Sequence, residues 1–465
     1  MKHFLKKQYI LIILLAIASV FYLTNLGSKP LEDYDEATYA SVLKSSFERN
    51  DFLSFKYFGA NWFEKPPLYF WLAATSAKIF GFNEFALRFP SAIFGILTIL
   101  LIYLITLELS RKDRPSAIFA GIILVLMPFF TAATRNMRMD TPVTACILGA
   151  LYFYLAGLYK QKYLIGIGIS ISLGILFKSI IGFLAVPIIL IFSITTKNWG
   201  WLKNKFFWLG NLIGFALAAP WHIYESIKFG KVFWQDYLGY HVLERFNENI
   251  LGSKITVGYY LYSLWNLSQP IIPLILTCII LLFFSLKNRR YLTVVLTNII
   301  FIFILFSASK TKLVTYYTPL YPFVAVMGGL IYYEFKNLIQ YKWLAHIVVT
   351  ITILVSTFYS LKEFFYPQIF ITHASIDEKA IGLYLTKNNN SEEINIFNWD
   401  HQNTIKYYSN SQTESLQFNT SRAPKIPSWI ILPTEILTLN EPLKDFPVPY
   451  SGEYLTLIHL IDNKK

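Results

Sequence analysis

The sequence predicts a mainly α-helical, polytopic membrane protein with a small carboxy-terminal α/β domain. The chain has 465 residues, of which 55% are hydrophobic and only 15% are charged, well below the roughly 25% charged residues of soluble domains. Apolar runs that are long enough to cross a hydrocarbon core of about 30 Å recur along residues 1–360. After about residue 370 the sequence becomes polar and contains short strand-like runs separated by turn residues.

About eleven membrane spans are predicted from these runs. They lie at about residues 8–26, 88–110, 116–134, 141–158, 163–177, 180–196, 206–222, 257–285, 291–307, 315–334 and 343–360. With a cytoplasmic amino terminus, every predicted cytoplasmic connection carries at least two basic residues, as the positive-inside rule requires. We therefore expect a multi-pass protein of a cytoplasmic membrane with two domains, a membrane domain at residues 1–365 and an extracytoplasmic α/β domain at residues 370–465. Outer loops are expected at residues 27–87 and 223–256.

Composition and motifs exclude several other classes of protein. The net charge of +13 does not indicate nucleic acid binding, because the basic residues are scattered over short loops where they orient the spans and meet anionic lipids. No phosphate-binding glycine loop is present, so no nucleotide is expected. Cys146 and Cys278 lie inside apolar runs without metal-like spacing and are expected to be core residues. The first apolar run lacks a clear cleavage site and is read as a retained span, not a signal peptide.

The first predicted outer loop contains two pairs of charged residues that are candidates for chemistry. Asp35 and Glu36 open a helix-like segment. A carboxylate there either caps the helix or acts toward an acceptor as a general base or through electrostatics, and Asp33 is a rival for that role. Glu64 and Lys65 lie between an aromatic pair and two prolines. They are either a solvated pair or a fixed ligand and phosphate contact.

Three further outer segments carry candidate residues. In the predicted outer connection at residues 135–140, Arg138 is a candidate phosphate contact, and Asp140 is a candidate for orienting a substrate hydroxyl or a cation. Alternatively, this connection only anchors a helix at the membrane interface. His241 is either a structural histidine or, with Glu64 on the same side, part of a site for zinc or manganese. Lys312 and Tyr316 mark a span end, where lysines either snorkel or bind an anionic lipid headgroup.

A set of short motifs resembles the PMT/ArnT-type glycosyltransferases of the GT-C superfamily, glycosyltransferase families 39 and 83. The matching motifs are, in chain order, Asp35-Glu36-Ala37-x-Tyr39-Ala40, Phe63-Glu64-Lys65-Pro66-Pro67-Leu68-x-Phe70-Trp71, Arg88-Phe89-Pro90-Ser91, Arg138-Met139-Asp140, His241-x-x-x-Arg245-Phe246 and Lys312-Leu313-x-x-Tyr316-x-x-Pro319. They cover most of residues 1–330 and resemble most closely the bacterial lipid A aminoarabinose-transferase branch. That branch usually has Arg three positions after its catalytic Asp, where this chain has Thr38, so the sugar and the acceptor stay open.

The resemblance implies a GT-C fold with interfacial helices in the first outer loop. It also implies transfer of a sugar, with inversion, from a polyprenyl-phosphate donor to a lipid A-like lipid, a protein or a glycan. By carry-over Asp35 is the catalytic carboxylate, Asp140 is a second essential carboxylate and Lys65 holds the carrier phosphate. The full predicted site contains Asp35, Asp140 and Glu36 as catalytic residues, Lys65, Lys312, Arg138 and Tyr316 at the donor phosphate, and Glu64 and His241 as ligands of a divalent metal.

Two other classes of protein compete with this interpretation. A transporter or flippase of lipid-linked sugars would be supported by ionisable residues inside the membrane and by broken spans. The charged residues of this chain instead lie at predicted span ends and in outer loops. A non-catalytic assembly protein would have no need for acidic and basic side chains collected on one side of the membrane. The sequence therefore favours the enzyme.

Overall fold

A computed structural model of the protein describes residues 2–250, 256–267, 289–338, 342–365, 374–388, 392–411, 414–416, 426–439, 443 and 445–461. The chain divides into two compact units. Unit 1 contains Met1–Leu26, Phe63–Ile79 and Arg88–Ile369, and unit 2 contains Gly27–Trp62, Phe80–Leu87 and Phe370–Lys465. Most of the first predicted outer loop therefore belongs to the same unit as the carboxy-terminal residues. The functional division into the domains 1–365 and 370–465 stays a prediction.

Long apolar helices form unit 1, and most of them coincide with a predicted span. The α-helices that lie wholly or mainly in this unit are Lys2–Leu23, Leu68–Phe80, Glu84–Leu109, Arg114–Val125, Pro128–Thr134, Asp140–Gly157, Ile165–Lys178, Ala185–Thr196, Lys205–Phe229, Lys231–Trp234, Arg245–Asn247, Val257–Leu267, Arg289–Ala308, Leu320–Leu338 and Lys342–Phe365. Among the described residues, five stretches are long and apolar enough to cross a membrane, or six when one bent pair counts as a span. The fold class is confirmed, whereas the number of eleven spans stays a prediction.

Two predicted spans are separate helices because the chain reverses between them. The helix Ile165–Lys178 ends at Ser179, whose φ is +49°, and a 3₁₀ turn leads into the helix Ala185–Thr196. A Cβ on Gly174 would lie 3.0 Å from the Cα of Gly182, which is eight residues further on. Eight residues of continuous helix would span about 12 Å, so the 36-residue apolar stretch Gln161–Thr196 is a hairpin. The predicted boundary between residues 177 and 180 is confirmed.

The predicted span 116–134 is not straight. Its two helices, Arg114–Val125 and Pro128–Thr134, are bent by 70° relative to one another. Met127 has extended backbone angles, as expected for a residue before proline, and Pro128 opens the second helix. The predicted span therefore consists of two helices, because the Met127-Pro128 step ends the first of them. The second half of the predicted span 257–285, together with Cys278, lies outside the described residues, and Cys146 is buried as predicted.

Unit 2 combines the helix Asp35–Arg49 and a short β-hairpin with a five-stranded sheet. The hairpin pairs β1 (Lys56–Tyr57) with β2 (Ala60–Asn61). The sheet has the order β4-β3-β5-β7-β6, with β3 at Glu393–Phe397, β4 at Glu414–Leu416, β5 at Ser428–Pro433, β6 at Tyr450–Ser451 and β7 at Leu455–Leu460. Strand β3 runs parallel to β4 and β5, whereas β7 is antiparallel to β5 and β6. The predicted carboxy-terminal α/β character is confirmed.

Both faces of this sheet are covered with apolar side chains. Side chains alternate across a strand: Trp429 and Ile431 face the helices Ala374–Asn388 and Asn403–Ser409, whereas Ile430 and Leu432 face the helix Thr434–Leu439. The helix Asn403–Ser409 contributes Ile405 to the first of these cores. Its other residues are therefore available for contacts with the first-loop segment of the same unit.

Candidate functional site

Unit 1 contains a compact cluster of charged side chains around Glu64. The Oε1 atom of Glu64 lies 2.5 Å from the Lys65 Nζ, 3.4 Å from the Arg245 Nη2 and 4.0 Å from the His241 Nδ1. On the other side of the imidazole, the His241 Nε2 lies 3.6 Å from the Asp236 Oδ1. Glu64 and Lys65 come from the first predicted loop, and the other three residues come from the 223–256 loop. The structure therefore brings the predicted residues Glu64, Lys65 and His241 together.

The protonation states of this cluster follow from burial and neighbouring charges. Burial alone would raise the pKa of Glu64, but Lys65, His241 and Arg245 lower it to about 2. Burial, followed by repulsion from Lys65 and Arg245, lowers the pKa of His241 to about 4 against the attraction of Glu64. At neutral pH the imidazole is therefore uncharged, and the two charges that balance the buried carboxylate are those of Lys65 and Arg245. Together with Asp236, the cluster contains two carboxyl groups and two cationic side chains.

Aromatic packing fixes the segments that carry the cluster. Phe63, next to Glu64, packs with its ring centroid 5.5 Å from that of Phe233, and Phe233 stacks on Tyr237 at 4.9 Å. Trp221, on the helix Lys205–Phe229, packs against these aromatic rings. The segment Gln235–Glu244 is a π-helix that places His241 and Asp236 on the side of Glu64. Such π turns are often found at functional sites.

A second ion pair joins this cluster through a tyrosine. The Lys178 Nζ lies 2.6 Å from the Asp140 Oδ1 and 5.8 Å from the centroid of the Tyr316 ring. The side chain of Tyr316 in turn hydrogen bonds with Arg245. The network thus runs from Glu64 through Arg245 and Tyr316 to Lys178 and Asp140. It connects five segments of unit 1, all loops or helix ends, that the predicted topology places on one side of the membrane.

The two other predicted phosphate contacts lie in hydrogen-bonded turns. The ammonium group of Lys312 is buried and donates to the Ser309 carbonyl. The same turn is tied to the 245–248 segment, because the Thr311 amide donates to the Arg245 carbonyl at 3.0 Å. For Arg138, the backbone carbonyl accepts a 2.8 Å bond from Ser91. These contacts fix both turns beside the ends of long helices, and the phosphate roles of Lys312 and Arg138 stay predictions.

Asp35 and Glu36 belong to unit 2, where they start the helix Asp35–Arg49. The Asp35 Oδ1 accepts a 3.3 Å bond from the Tyr39 hydroxyl, one turn further along the helix. Glu36 is only 1% exposed, and its Oε2 accepts the Glu32 amide at 3.0 Å. Glu36 therefore closes the turn that precedes the helix, which is a structural task. Asp35 is only partly buried and is the carboxylate of the pair that a substrate can reach.

The residues around Glu64 do not fit the predicted divalent metal. In favour of a metal, the His241 Nδ1 is buried and has no hydrogen-bond partner among the residues that the structure describes. Against it, Lys65 and Arg245 both contact the same Glu64 oxygen that a metal would need. Within the described ranges, no group of three or more His, Cys, Asp or Glu side chains has the geometry of a metal site. The contacts of Lys65 and Arg245 with Glu64 argue against a cation at that oxygen, and the divalent metal stays a prediction.

Three functional side chains of this network were not in the predicted site. Arg245 was noted only as part of a motif, and Asp236 was not singled out. Lys178 was missed because a single Lys after an apolar run resembles an ordinary snorkelling residue. The predicted topology contained a signal for it: residues 178–179 fall between an outward and an inward span and therefore on the same side as Asp140.

Comparisons of sequence place the chain among known proteins. The family model described as dolichyl-phosphate-mannose-protein mannosyltransferase matches residues 64–224. An uncharacterized protein of Aquifex aeolicus is 28% identical over 324 residues, which cover 69% of this chain and 63% of the relative. An undecaprenyl phosphate-alpha-4-amino-4-deoxy-L-arabinose arabinosyl transferase of Aeromonas hydrophila is 28% identical over 319 residues, which cover 66% of this chain and 57% of the relative. The matched region spans about three-fifths of these relatives.

Comparison of folds agrees with the sequence matches. The crystal structure of ArnT from Cupriavidus metallidurans bound to undecaprenyl phosphate superposes with a TM-score of 0.74 at 15% identity, covering 98% of this chain and 99% of that one. The oligosaccharyltransferase AglB from Archaeoglobus fulgidus gives a TM-score of 0.61 at 13% identity, covering 93% and 70%. The resemblance that the motifs predicted is confirmed: the sequence resembles the PMT/ArnT-type glycosyltransferases, and the chain shares the fold of ArnT.

Proposed function

We propose that this protein is an integral-membrane glycosyltransferase that moves a sugar from a polyprenyl-phosphate donor to an acceptor on the outer face of the bacterial cytoplasmic membrane. The main support for the proposal is the network from Glu64 to Asp140. It brings three cationic side chains together at neighbouring helix ends: Lys65, Arg245 and Lys178. A fold shared with a protein whose structure contains undecaprenyl phosphate supports the same donor class. Relatives named as aminoarabinose transferases support the same reaction class.

The proposed reaction breaks the bond between the anomeric carbon and the phosphate oxygen, and the bonding electrons leave with the polyprenyl phosphate. A bond forms between the same carbon and an acceptor oxygen on the opposite face, which inverts the configuration. The leaving phosphate gains a negative charge during this step. Lys65 and Arg245 stabilise that charge in a partly desolvated site, where electrostatic stabilisation is strong. No step is assigned to a metal or a nucleotide.

Asp35 is the proposed catalytic carboxylate. When the acceptor is a hydroxyl, Asp35 takes its proton as the new bond forms. When the acceptor is a phosphate, no base is needed and Asp35 orients the acceptor instead. Asp140, paired with Lys178, holds the second end of the network and orients the donor sugar. The acceptor, whether a lipid A-like lipid, a protein or a glycan, is left to experiment.

Mass spectrometry of the cell envelope with and without the protein identifies the sugar and the acceptor. With both known, sugar transfer is measured in proteoliposomes for wild type, Asp35→Asn and Glu48→Gln. Glu48 is an exposed carboxylate on the same helix as Asp35 and is the matched control. Asp35→Asn should reduce transfer by about 10²-fold or more, the usual contribution of a general base, while Glu48→Gln stays at wild-type level. Full activity in Asp35→Asn removes the assignment, and movement of the lipid-linked sugar without transfer supports a flippase.

A further inference from the structure

Residues 401–408 of unit 2 form hydrogen bonds with the short segment that precedes Asp35. The Leu31 amide donates to the Tyr408 hydroxyl at 3.0 Å, and the Thr404 hydroxyl donates to the Leu31 carbonyl at 3.3 Å. Two residues further on, the Asn403 amide donates to the Asp33 Oδ1 at 2.8 Å. The segment is therefore held through both its backbone and its acidic side chain.

His401 contacts the second carboxylate oxygen of Asp33. Its Nδ1 lies 3.3 Å from the Asp33 Oδ2, and the Asp33 carboxylate is only 2% exposed. The imidazole meets Tyr34 and Trp399 edge-on, with ring centroids 5.7 and 5.8 Å away. The nearby Asp33 carboxylate raises the pKa of His401 against the effect of burial. The His401 imidazole therefore lies against the Asp33 carboxylate, between aromatic rings.

Hydrogen bonds couple the backbone around Asp33 to the first turn of the helix Asp35–Arg49. The Ala37 amide donates to the Glu32 carbonyl at 3.0 Å, and the Glu36 side chain accepts the Glu32 amide at 3.0 Å. Asp33 lies inside this closed turn, and Asp35 is the next residue but one. A shift of Asp33 therefore moves the backbone of Asp35 with it.

We propose that His401 and Asn403 are positioning residues that fix the orientation of Asp35 by holding Asp33, and that this is a task of the carboxy-terminal α/β segment. The inference rests on the proposed function, because Asp35 is the carboxylate that the proposed reaction uses. A displacement of about 1 Å at a reacting group can lower the rate about 10²-fold. Contacts of His401 and Asn403 with Asp33 can therefore affect kcat although neither residue touches the substrate. Donor binding should be unaffected, since the proposed phosphate contacts Lys65 and Arg245 are residues of unit 1.

The test compares His401→Ala, His401→Gln and His459→Ala in full-length protein. Gln retains an N–H donor for Asp33, whereas Ala retains none. His459 is the matched control: it forms a comparable pair with Glu392, at 2.6 Å, and stacks on Trp429, but does so within the sheet region. His401→Ala should lower kcat by about 10- to 100-fold with a donor KM within about twofold of wild type. His401→Gln should restore most of kcat, and His459→Ala should change stability without changing kcat.

Hydrogen exchange provides a readout that does not depend on the proposed reaction. Amide exchange in residues 32–39 should accelerate about tenfold or more in His401→Ala, since the turn opens more often, and should be unchanged in His459→Ala. Unchanged exchange in His401→Ala overturns the inference whether or not the protein transfers sugar. If His401→Ala does not fold, Asp33→Asn is measured in the same way, and wild-type exchange and kcat in that variant overturn the inference. An inactive wild type with faster exchange in His401→Ala contradicts only the proposed function.

Discussion

At the scale of single residues, Asp140 and Lys178 form a largely buried ion pair of the candidate site. The side chains are 8% and 16% exposed and 2.6 Å apart. Taking two charges out of water is costly, and the attraction between them offsets that cost only while both are present. The pair is therefore expected to matter for stability mainly when one partner is removed.

The first prediction is a double-mutant cycle on this pair. Lys178→Met leaves the Asp140 carboxylate buried without its cation and should lower the free energy of unfolding by about 3 kcal/mol. Adding Asp140→Asn should recover more than half of that loss, because no uncompensated charge then remains. Lys336→Met is the control: its pair with Asp113, also at a helix end, is more exposed, with 23% and 18%, and should lose only about 1 kcal/mol. Equilibrium unfolding in mixed micelles measures wild type, Lys178→Met, Asp140→Asn, the double variant and Lys336→Met. A double variant as unstable as Lys178→Met contradicts the argument.

A second residue-scale prediction concerns Glu378, whose side chain accepts the Trp399 indole N–H at 2.9 Å. Burial, with a contribution from Asp33, raises the pKa of Glu378 to about 7, although the hydrogen bonds from Trp399 and Thr404 and the charge of His401 oppose it. Because this value lies above that of an unfolded Glu, about 4.3, the folded protein keeps a proton that the unfolded chain releases. The contribution of Glu378 to stability therefore falls as pH rises from about 4 to about 7, by up to about 3 kcal/mol.

Glu378→Gln tests this sign, since the amide keeps an acceptor for Trp399 and cannot ionise. The variant and wild type should have similar stability near pH 5, and the variant should be more stable by up to about 3 kcal/mol at pH 8. Unfolding curves at intervals between pH 5 and pH 8 give the difference directly. The raised pKa of His401 adds a slope of the same sign to both proteins, and this slope is smaller in the variant because the charge of Glu378 contributes to the raised pKa. Parallel curves would show that Glu378 is ionised throughout.

The sequence predicted part of the site because chemically unusual residues stood at span ends. Glu64, Lys65, His241, Asp140 and Tyr316 were all named, and the structure joins them in one network. Lys178 was not, since its partner lies 38 residues away in the chain and no local pattern encodes that distance. The structural role of Glu36 was equally invisible, because the contact to Glu32 depends on how the chain turns into the helix.

At the scale of elements, glycines determine how the helices Ile165–Lys178 and Lys205–Phe229 approach each other. A Cβ on Gly210 would lie 2.2 Å from the Ile165 carbonyl oxygen, and one on Gly214 would lie 2.5 Å from the Gly168 carbonyl oxygen. Gly210 and Gly214 are four residues apart and share one face of their helix. This small-xxx-small spacing allows close backbone contact between helices in a membrane.

The prediction is that Gly214→Leu separates these two helices. Backbone atoms cannot yield as a flexible side chain can, so the added side chain should lower the free energy of unfolding by about 2 kcal/mol or more. Ala216→Leu is the control, because Ala216 lies on the exposed face of the same helix, and it should change stability by less than about 0.5 kcal/mol. Unfolding in micelles measures both variants. If both substitutions lower the free energy of unfolding equally, the face with Gly210 and Gly214 does not pack against the helix Ile165–Lys178.

Most helices were predictable at this scale, because each is encoded by one apolar run. The reversal after Lys178 was also anticipated from the polar break between two runs. The 70° bend at Met127-Pro128 was missed, because an apolar run gives no sign of direction and the proline was read as part of a continuous span. The pairing of the 309–312 turn with the 245–248 segment depends on contacts across more than 60 residues, which no periodicity reveals.

At the scale of the whole molecule, the distribution of positive charge sets the expected orientation in the membrane. The net charge of +13 is concentrated, among the connections between spans, in those that the alternation of spans places on one side. Basic residues near span ends are retained on the cytoplasmic side. The same alternation predicts that the segments with the proposed catalytic residues Asp35, Lys65 and Asp140 lie on the other side. The topology and the proposed outward-facing reaction are therefore linked.

Cysteine labelling tests this orientation in intact cells. Cys146 and Cys278 are first replaced by Ser, and single cysteines are then placed at Lys112 and Glu453, both exposed in the structure. Because Lys112 lies in a basic connection, Lys112→Cys should react with a membrane-impermeant maleimide only after the membrane is opened. Glu453→Cys, in the carboxy-terminal sheet region, should react in intact cells. Labelling of both sites in opened membranes shows that each is accessible. The reverse pattern in intact cells would place the proposed reaction on the cytoplasmic side, where the outer-face acceptor could not reach it.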